Sequence, residues 1–349
     1  MTVRPPSVSI PKLRVRAGRY LPLLLLLGLA VHLILPQITA LEHSLQVIEG
    51  MLPWAVGLAF LAQLLSYMGS GFLSRSIVSL VGQQLSIVRG ALISVAASSI
   101  GLVAGGAVGS TAATYRWVRG SGASAQGAGL AGGLPPLLNN GLLVLIAVIG
   151  LLHLLVVHEL STLQALGFGL ILLILGLVVG GILWSTRHRP QFTRLADWVA
   201  AGWAGLRRRP HDTTKTQTSI ERLFSTWDVL RNGDWRKPVL GAVLNVTFDM
   251  LTLYCIFVAA GHAVSPGILL AGYGLPLLLG KASFLPGGVG IVESTMAALY
   301  DGLGVPDPVT VVVILSYRVI SFWLPSLLGF LFIPALQRAG KSTHRTINF

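Results

Sequence analysis

Arg318 is the residue of this chain most in need of a chemical explanation. It lies ten residues beyond Pro308, inside an apolar run covering 309–333. At ~1.5 Å per helical residue that is about 15 Å in, near the middle of a ~30 Å hydrocarbon core. An arginine there costs ~2.5–3.5 kcal/mol on insertion scales, so it requires a partner. Glu293 is the nearest acidic candidate. Asp249, eleven residues past Pro238, reaches mid-depth by the same count, and Lys281 precedes the segment that carries Glu293. Such a set can hold broken helices together as an ion network, or it can bind an anionic headgroup and carry protons. The residue types alone favour neither reading.

Between Lys281 and Arg318 stands Phe284-Leu285-Pro286-Gly287-Gly288-Val289-Gly290-Ile291-Val292-Glu293. Gly287, Gly288 and Gly290 permit positive φ and allow a helix to break. Amides freed after Pro286 can face an anion, as at a helix N-terminus. Irregular backbone at membrane depth is tolerated only inside protein or beside a wet cavity. An earlier stretch, Gly105-Gly106-Ala107-Val108-Gly109-Ser110-Thr111, echoes this one without its proline and glutamate. Helix packing accounts for those glycines equally well. Gly101, Gly105 and Gly109, at four-residue spacing, offer a close helix contact.

The elements that must position these residues are membrane helices. Hydrophobic residues make up 53% of the 349-residue chain and charged residues 11%, less than half the share a soluble domain carries. Apolar runs at 21–38, 52–73, 139–157, 163–184, 238–260 and 309–333 approach or exceed spanning length. They are continuous and Leu-rich, unlike the alternating strands of a barrel. The fold class expected is all-α: a polytopic transmembrane bundle with two re-entrant or broken-helix regions and an inverted repeat. The run 21–38 reads as an uncleaved first span rather than a secretory signal.

The net charge of +13 follows the positive-inside rule rather than pointing to nucleic acid. Basic residues gather in the tail 1–19, in the loop 185–237 and in the tail 336–349, so all three are expected in the cytoplasm. The membrane halves are then 20–184 and 238–335. This orientation requires residues 76–137 to begin and end inside, and 262–307 to begin and end outside. Paired interrupted segments of this kind are a sequence pointer to a transporter's substrate site. In the loop, Phe192, Leu195, Val199, Trp203 and Leu206 recur at helical spacing, as do Ile220, Leu223, Phe224, Trp227 and Leu230. Basic, Trp-bearing amphipathic helices suit a membrane interface, or simply join two halves.

Other chemistry is not indicated. There is no Walker A loop, no HExxH and no Gly-x-Ser-x-Gly. Cys255 is the single cysteine and reads as a packing residue. His153 and His158 read as packing or interfacial histidines, and no metal or cofactor is expected.

The Pro-Gly-Gly-x-Gly-x-x-Glu segment, followed by Tyr317-Arg318 and Ser321-Phe322-Trp323-Leu324-Pro325 in the last span, resembles the lysylphosphatidylglycerol synthase transmembrane family, also described as flippase-like. The specific likeness covers residues 280–330; Arg116 falls where members often carry a basic residue after the first Gly-rich segment. The resemblance implies lipid binding and movement between leaflets of a bacterial or archaeal cytoplasmic membrane. The chain ends at Phe349 without the aminoacyl-transfer domain of the synthases, so synthase activity is not expected. The leading expectation is a non-enzymatic flippase or transporter for an anionic or polyprenyl-type lipid, with its site at Arg318, Glu293, Lys281, Asp249, Gly287, Gly288, Gly290 and Arg116. Two alternatives are an integral-membrane transferase acting on a lipid-linked substrate, and an accessory subunit that docks a cytosolic enzyme through 185–237.

Overall fold

The computed structural model describes residues 41–157, 160–206, 234–283 and 285–345, with isolated positions between 213 and 228. The first apolar run, His158, Phe284 and much of the second amphipathic segment lie outside the described residues. The described residues form helices and turns. In chain order the helices are α1 Leu41–Glu49, α2 Pro53–Ser79, α3 Ile87–Val103, α4 Ala107–Gly120, α5 Ala125–Val157, α6 Thr162–Arg187, α7 Arg189–Leu206, α8 Arg236–Ala259, α9 Pro266–Ala282, α10 Ile291–Gly302, α11 Asp307–Arg318 and α12 Leu324–Arg345. A one-turn π segment, Val319–Trp323, joins α11 to α12. Among the described residues five stretches are long and apolar enough to cross a membrane: α2, α5, α6, α8, and α11 running on into α12. The chain is a multi-pass integral membrane protein.

The centre of the bundle is the antiparallel pair α2 and α8. The Leu52 amide donates to the Ala259 carbonyl at 2.9 Å, and the Thr252 hydroxyl to the Ala59 carbonyl at 3.4 Å. Ser66 and Asn245 exchange hydrogen bonds at 2.9 and 3.0 Å. Glycine permits this approach: a Cβ on Gly69 would stand 2.6 Å from the Asn245 amide, and one on Gly241 2.6 Å from the Leu73 backbone. The bundle therefore has a Leu52 end, where α2 starts and α8 stops, and an Arg236 end, where the reverse holds.

Each of these helices is followed by two short ones that double back. After α2, the chain leaves the Arg236 end through α3, turns at Gly105 and Gly106 (φ +87° and +62°), and returns through α4. The Gln83 side chain, ahead of α3, accepts from the Ser124 amide beyond α4 at 2.9 Å, so both ends of the excursion meet. After α8, the chain leaves the Leu52 end through α9, breaks over 283–290 and returns through α10. Tyr300 in α10 packs edge-on to Phe257 at the end of α8, and the Gly302 carbonyl accepts from Gln164 at 2.6 Å.

The two halves interlock by exchange. α9 runs antiparallel along α5, the long helix of the first half, with Gly150 against Ala271 and Gly274 against Ala147. α3 runs antiparallel along α12, the last helix of the second half, through Ser99 donating to the Ser326 carbonyl at 2.6 Å and Gly329 against Val95. The sequence echo at 105–111 opens on the turn between α3 and α4, as the Pro-Gly-Gly segment falls on the break between α9 and α10. Gly101 and Gly109 serve within the chain: their missing side chains make room for the Gly106 and Ala104 backbone of the same turn.

One boundary differs from the sequence reading. The sequence places residues 125–137 in the interrupted region, yet α5 begins at Ala125 and runs through Pro135 and Pro136. Its glycines have tertiary work here, because Gly127 faces Gln83 and Gly132 faces Thr111. His153 packs its ring over Gly267, a packing histidine as expected. Cys255 is buried. α6 is the least enclosed span, with Leu163, Leu166, Leu170, Leu173 and Leu177 all exposed. In a membrane protein that surface meets lipid.

Candidate functional site

The break between α9 and α10 and the π segment after α11 meet around the buried side chain of Arg318. Gly287 (φ +66°) and Gly288 (φ +63°) form a short turn with Pro286, and Gly290 (φ +86°) starts α10. A Cβ on Gly288 would stand 2.6 Å from the Gly280 Cα, so the two sides of the break touch backbone to backbone. A Cβ on Gly287 would occupy the Phe322 ring. Both glycines are required by conformation and by space.

Arg318 locks this turn. It is 4% exposed. Its Nε donates to Glu293 Oε1 at 2.6 Å, and its Nη2 donates to the Gly287 carbonyl at 2.9 Å. The guanidinium lies 4.3 Å from the centroid of the Phe322 ring, within cation–π range. Glu293 Oε2 accepts from the Gly290 amide at 2.7 Å, capping α10 from its third position. Thus Glu293 holds both the start of α10 and the arginine that holds the turn.

One residue earlier, Tyr317 leads to a second group. Asp249 Oδ2 accepts from Tyr317 and from Tyr273, each at 2.8 Å. The Tyr67 hydroxyl donates to the Ser321 carbonyl, within the π segment, at 3.2 Å. Buried Gln63 lies alongside the carboxylate. Elements from both halves therefore converge on Asp249. Lys281, at the foot of α9, is exposed and within electrostatic reach of Asp249, yet no ion pair joins them.

The structure separates the residues grouped from sequence. Arg318, Glu293, Gly287, Gly288 and Gly290 form one connected unit. Asp249 adjoins it through the neighbouring Tyr317, and among the described residues no hydrogen bond or ion pair ties Lys281 to either. Arg116 is exposed on α4, and among the described residues no hydrogen bond or ion pair ties it to this group. Sequence reasoning missed Tyr67, Gln63, Tyr273 and the role of Tyr317. Their signal is faint, since polar aromatics and amides in apolar runs are common, and only their convergence on one carboxylate singles them out. Among the described residues no group of three His, Cys, Asp or Glu gathers as a metal site would.

The family model described as the lysylphosphatidylglycerol synthase TM region matches residues 21–329. The chain belongs to that family. The resemblance first carried by residues 280–330 thus extends over almost the whole chain. Relatives include UPF0104 membrane proteins of archaea. One from Methanocaldococcus jannaschii is 29% identical over 37% of this chain and 39% of its own length. One from Methanothermobacter thermautotrophicus is 26% identical over 44% and 46%, and one from Pyrococcus horikoshii is 36% identical over 23% and 24%. The chain thus spans less than half the length of these curated relatives.

Proposed function

We propose that this family member binds membrane lipid and moves it between leaflets, as a flippase or transporter for an anionic or polyprenyl-type lipid. The observation that carries this reading is Lys281: an exposed cation beside a positive-φ glycine turn, in a helix pair that enters the bundle and returns. In this reading the two helix pairs re-enter the membrane from opposite faces, and their breaks bound a cavity between the halves. Lys281 meets the headgroup. Arg318, occupied by Glu293 and the Gly287 carbonyl, holds the turn, and Asp249 orients the polar wall. Arg116 lies on the same path nearer the Arg236 end.

The direct experiment is reconstitution in liposomes with a panel of fluorescent lipids, anionic, zwitterionic and polyprenyl-linked. Lipid movement without chemical change is expected, faster for anionic members. Lys281→Gln should lower it about tenfold or more, the loss of one charged contact of ~1.5–3 kcal/mol, and Lys281→Arg should keep most of it. A chemically altered lipid would instead favour a transferase. Silence until a cytosolic enzyme is added would favour an accessory subunit.

The orientation proposed has both termini and the loop 185–237 in the cytoplasm of a bacterium or archaeon. α7 carries Leu195, Trp198 and Val199 on an exposed face, and Arg189 forks onto Asp228 at 2.5 and 2.8 Å, tying α7 to the second segment of the loop. A cysteine placed at Thr214 in a Cys255→Ser background should resist impermeant maleimide in intact cells and react once they are opened. Labelling in intact cells would reverse the topology.

A further inference from the structure

We infer that α7 lies along the membrane surface, with an open apolar stripe seated in an anionic leaflet and its opposite face holding the rest of the loop. The sequence leaves two uses for this helix, surface contact or a plain joint, and groups Phe192 with Leu195 and Val199. The fold divides that group. Phe192 turns towards the second segment of the loop, where its ring meets Phe224 edge-on at 5.9 Å. Arg189 forks onto Asp228 from the same side and lies 4.8 Å from the centroid of the Phe224 ring. At 3.6 residues per turn, Arg189 and Phe192 share one face of α7, and Leu195, Trp198, Val199 and Gly202 share the other. All four of the latter are exposed, Trp198 to 74%. A helix of a soluble domain does the reverse, burying its apolar stripe and showing its charges to water. Here the arginine is engaged and the tryptophan is bare.

What covers the stripe follows from what it adjoins. α6 is the span whose surface meets lipid, and its 26 residues extend about 39 Å, enough to carry Arg187 beyond a ~30 Å hydrocarbon core. Trp184 and Arg187, in its last turn, are both exposed, and both residue types sit at headgroup level. His188 (φ −121°, ψ 51°) then leaves the helical range, and α7 starts at the next residue. α7 therefore sets out from the headgroup region, and the bend at His188 lets it run along the surface. Its open stripe then continues the lipid-facing side of α6. Charge selects the leaflet. Arg187 and Arg194 flank the stripe and are exposed, and an arginine beside an anionic surface strengthens binding about fivefold. Basic faces with Trp and Leu between them are how helices lie in a membrane interface. This contact fastens the loop between the two membrane halves to the leaflet, whether or not lipid is moved.

The test uses the whole chain in liposomes of phosphatidylcholine with one-third phosphatidylglycerol. Single cysteines at Val199 and at Thr214, in a Cys255→Ser background, carry a nitroxide spin label. Both positions are exposed, so neither label disturbs a packed core. Collisions with oxygen, which dissolves in hydrocarbon, are compared with collisions with a water-soluble nickel chelate. The label at Val199 should favour oxygen several-fold more than the label at Thr214. In liposomes of phosphatidylcholine alone, or with Arg187→Gln and Arg194→Gln together, the bound population of α7 should fall by up to about twenty-five-fold, fivefold for each arginine, and the Val199 label should approach the Thr214 value. A Val199 label that favours nickel in the anionic liposomes would place the stripe in water and overturn the contact. Shielding from both reagents would mean that protein covers the stripe, a second copy if the labels also broaden one another, and would overturn it too. An oxygen preference that is the same in both kinds of liposome would overturn the selection of an anionic leaflet. Lipid movement can be scored in the same liposomes, and its presence or absence bears only on the transport reading.

Discussion

Replacing either Arg318 or Glu293 alone should cost about 3–5 kcal/mol of stability, whereas removing both charges together should cost far less. The range is that for breaking a buried ion pair from one side, where the surviving charge stays desolvated without its partner. Geometry here makes the penalty severe. Arg318 is 4% exposed, and its 2.6 Å contact with Glu293 is its charge-neutralising bond. Loss of Glu293 also releases the Gly290 amide and with it the start of α10. Loss of Arg318 frees the Gly287 carbonyl and uncovers the Phe322 face. In Arg318→Met with Glu293→Gln, the glutamine can still accept from Gly290, and methionine can cover Phe322. The measurement is a double-mutant cycle scored for thermal stability in detergent and for lipid movement in liposomes. Recovery of both readouts in the double variant assigns the pair a structural role. Recovery of stability without transport makes Arg318 a headgroup contact in another state of the protein. Additive, mild losses would show that the pair is uncoupled and that the turn is held by other means.

Gly288→Ala should be the most damaging single-methyl addition in the second half. A non-glycine residue at φ +63° stores about 1–3 kcal/mol. The new methyl would also stand 2.6 Å from the Gly280 Cα, and inserting a carbon into packed backbone costs about 1–3 kcal/mol more. The atoms it meets are main chain, so no rotamer change can relieve the contact. Gly82→Ala is the informative control: it too has positive φ (+71°), but nothing lies within 4 Å of the added carbon. Comparing their melting temperatures separates conformational strain from the close approach of the two sides of the break. Equal losses in the two variants would mean that the contact between Gly288 and Gly280 contributes nothing.

Much of this was legible in the sequence because the bilayer is a demanding solvent. Apolar runs of spanning length predict α2, α6 and α8 to within a few residues, since backbone groups in lipid must be satisfied inside the helix. The depth of Arg318 alone demanded a partner, since an unpartnered charge at that level is too costly to keep, and Glu293 was the nearest acidic candidate, with Asp249 the other. The Pro-Gly-Gly-Val-Gly run announces its own break, because successive glycines with positive φ cannot continue a helix. Gly105-Gly106 was ambiguous, since glycine serves turns and close packing equally well. The start of α5 was misplaced for the same reason: its glycines answer to Gln83 and Thr111, neighbours about twenty to forty residues away that no local window contains.

What tertiary structure alone decided is which groups share a space. Tyr67, Tyr273 and Tyr317 are spread over 250 residues, and each is unremarkable where it stands in the chain. Only the antiparallel contact of α2 with α8, and the exchange that lays α9 along α5 and α3 along α12, gather them around Asp249. The same packing divides the cations, seating Arg318 on Glu293, leaving Lys281 exposed at the end of α9, and keeping Arg116 out on α4. Sequence sets the cost of burying each charge. Partners are set by helix contacts that depend on the size and shape of residues far apart in the chain.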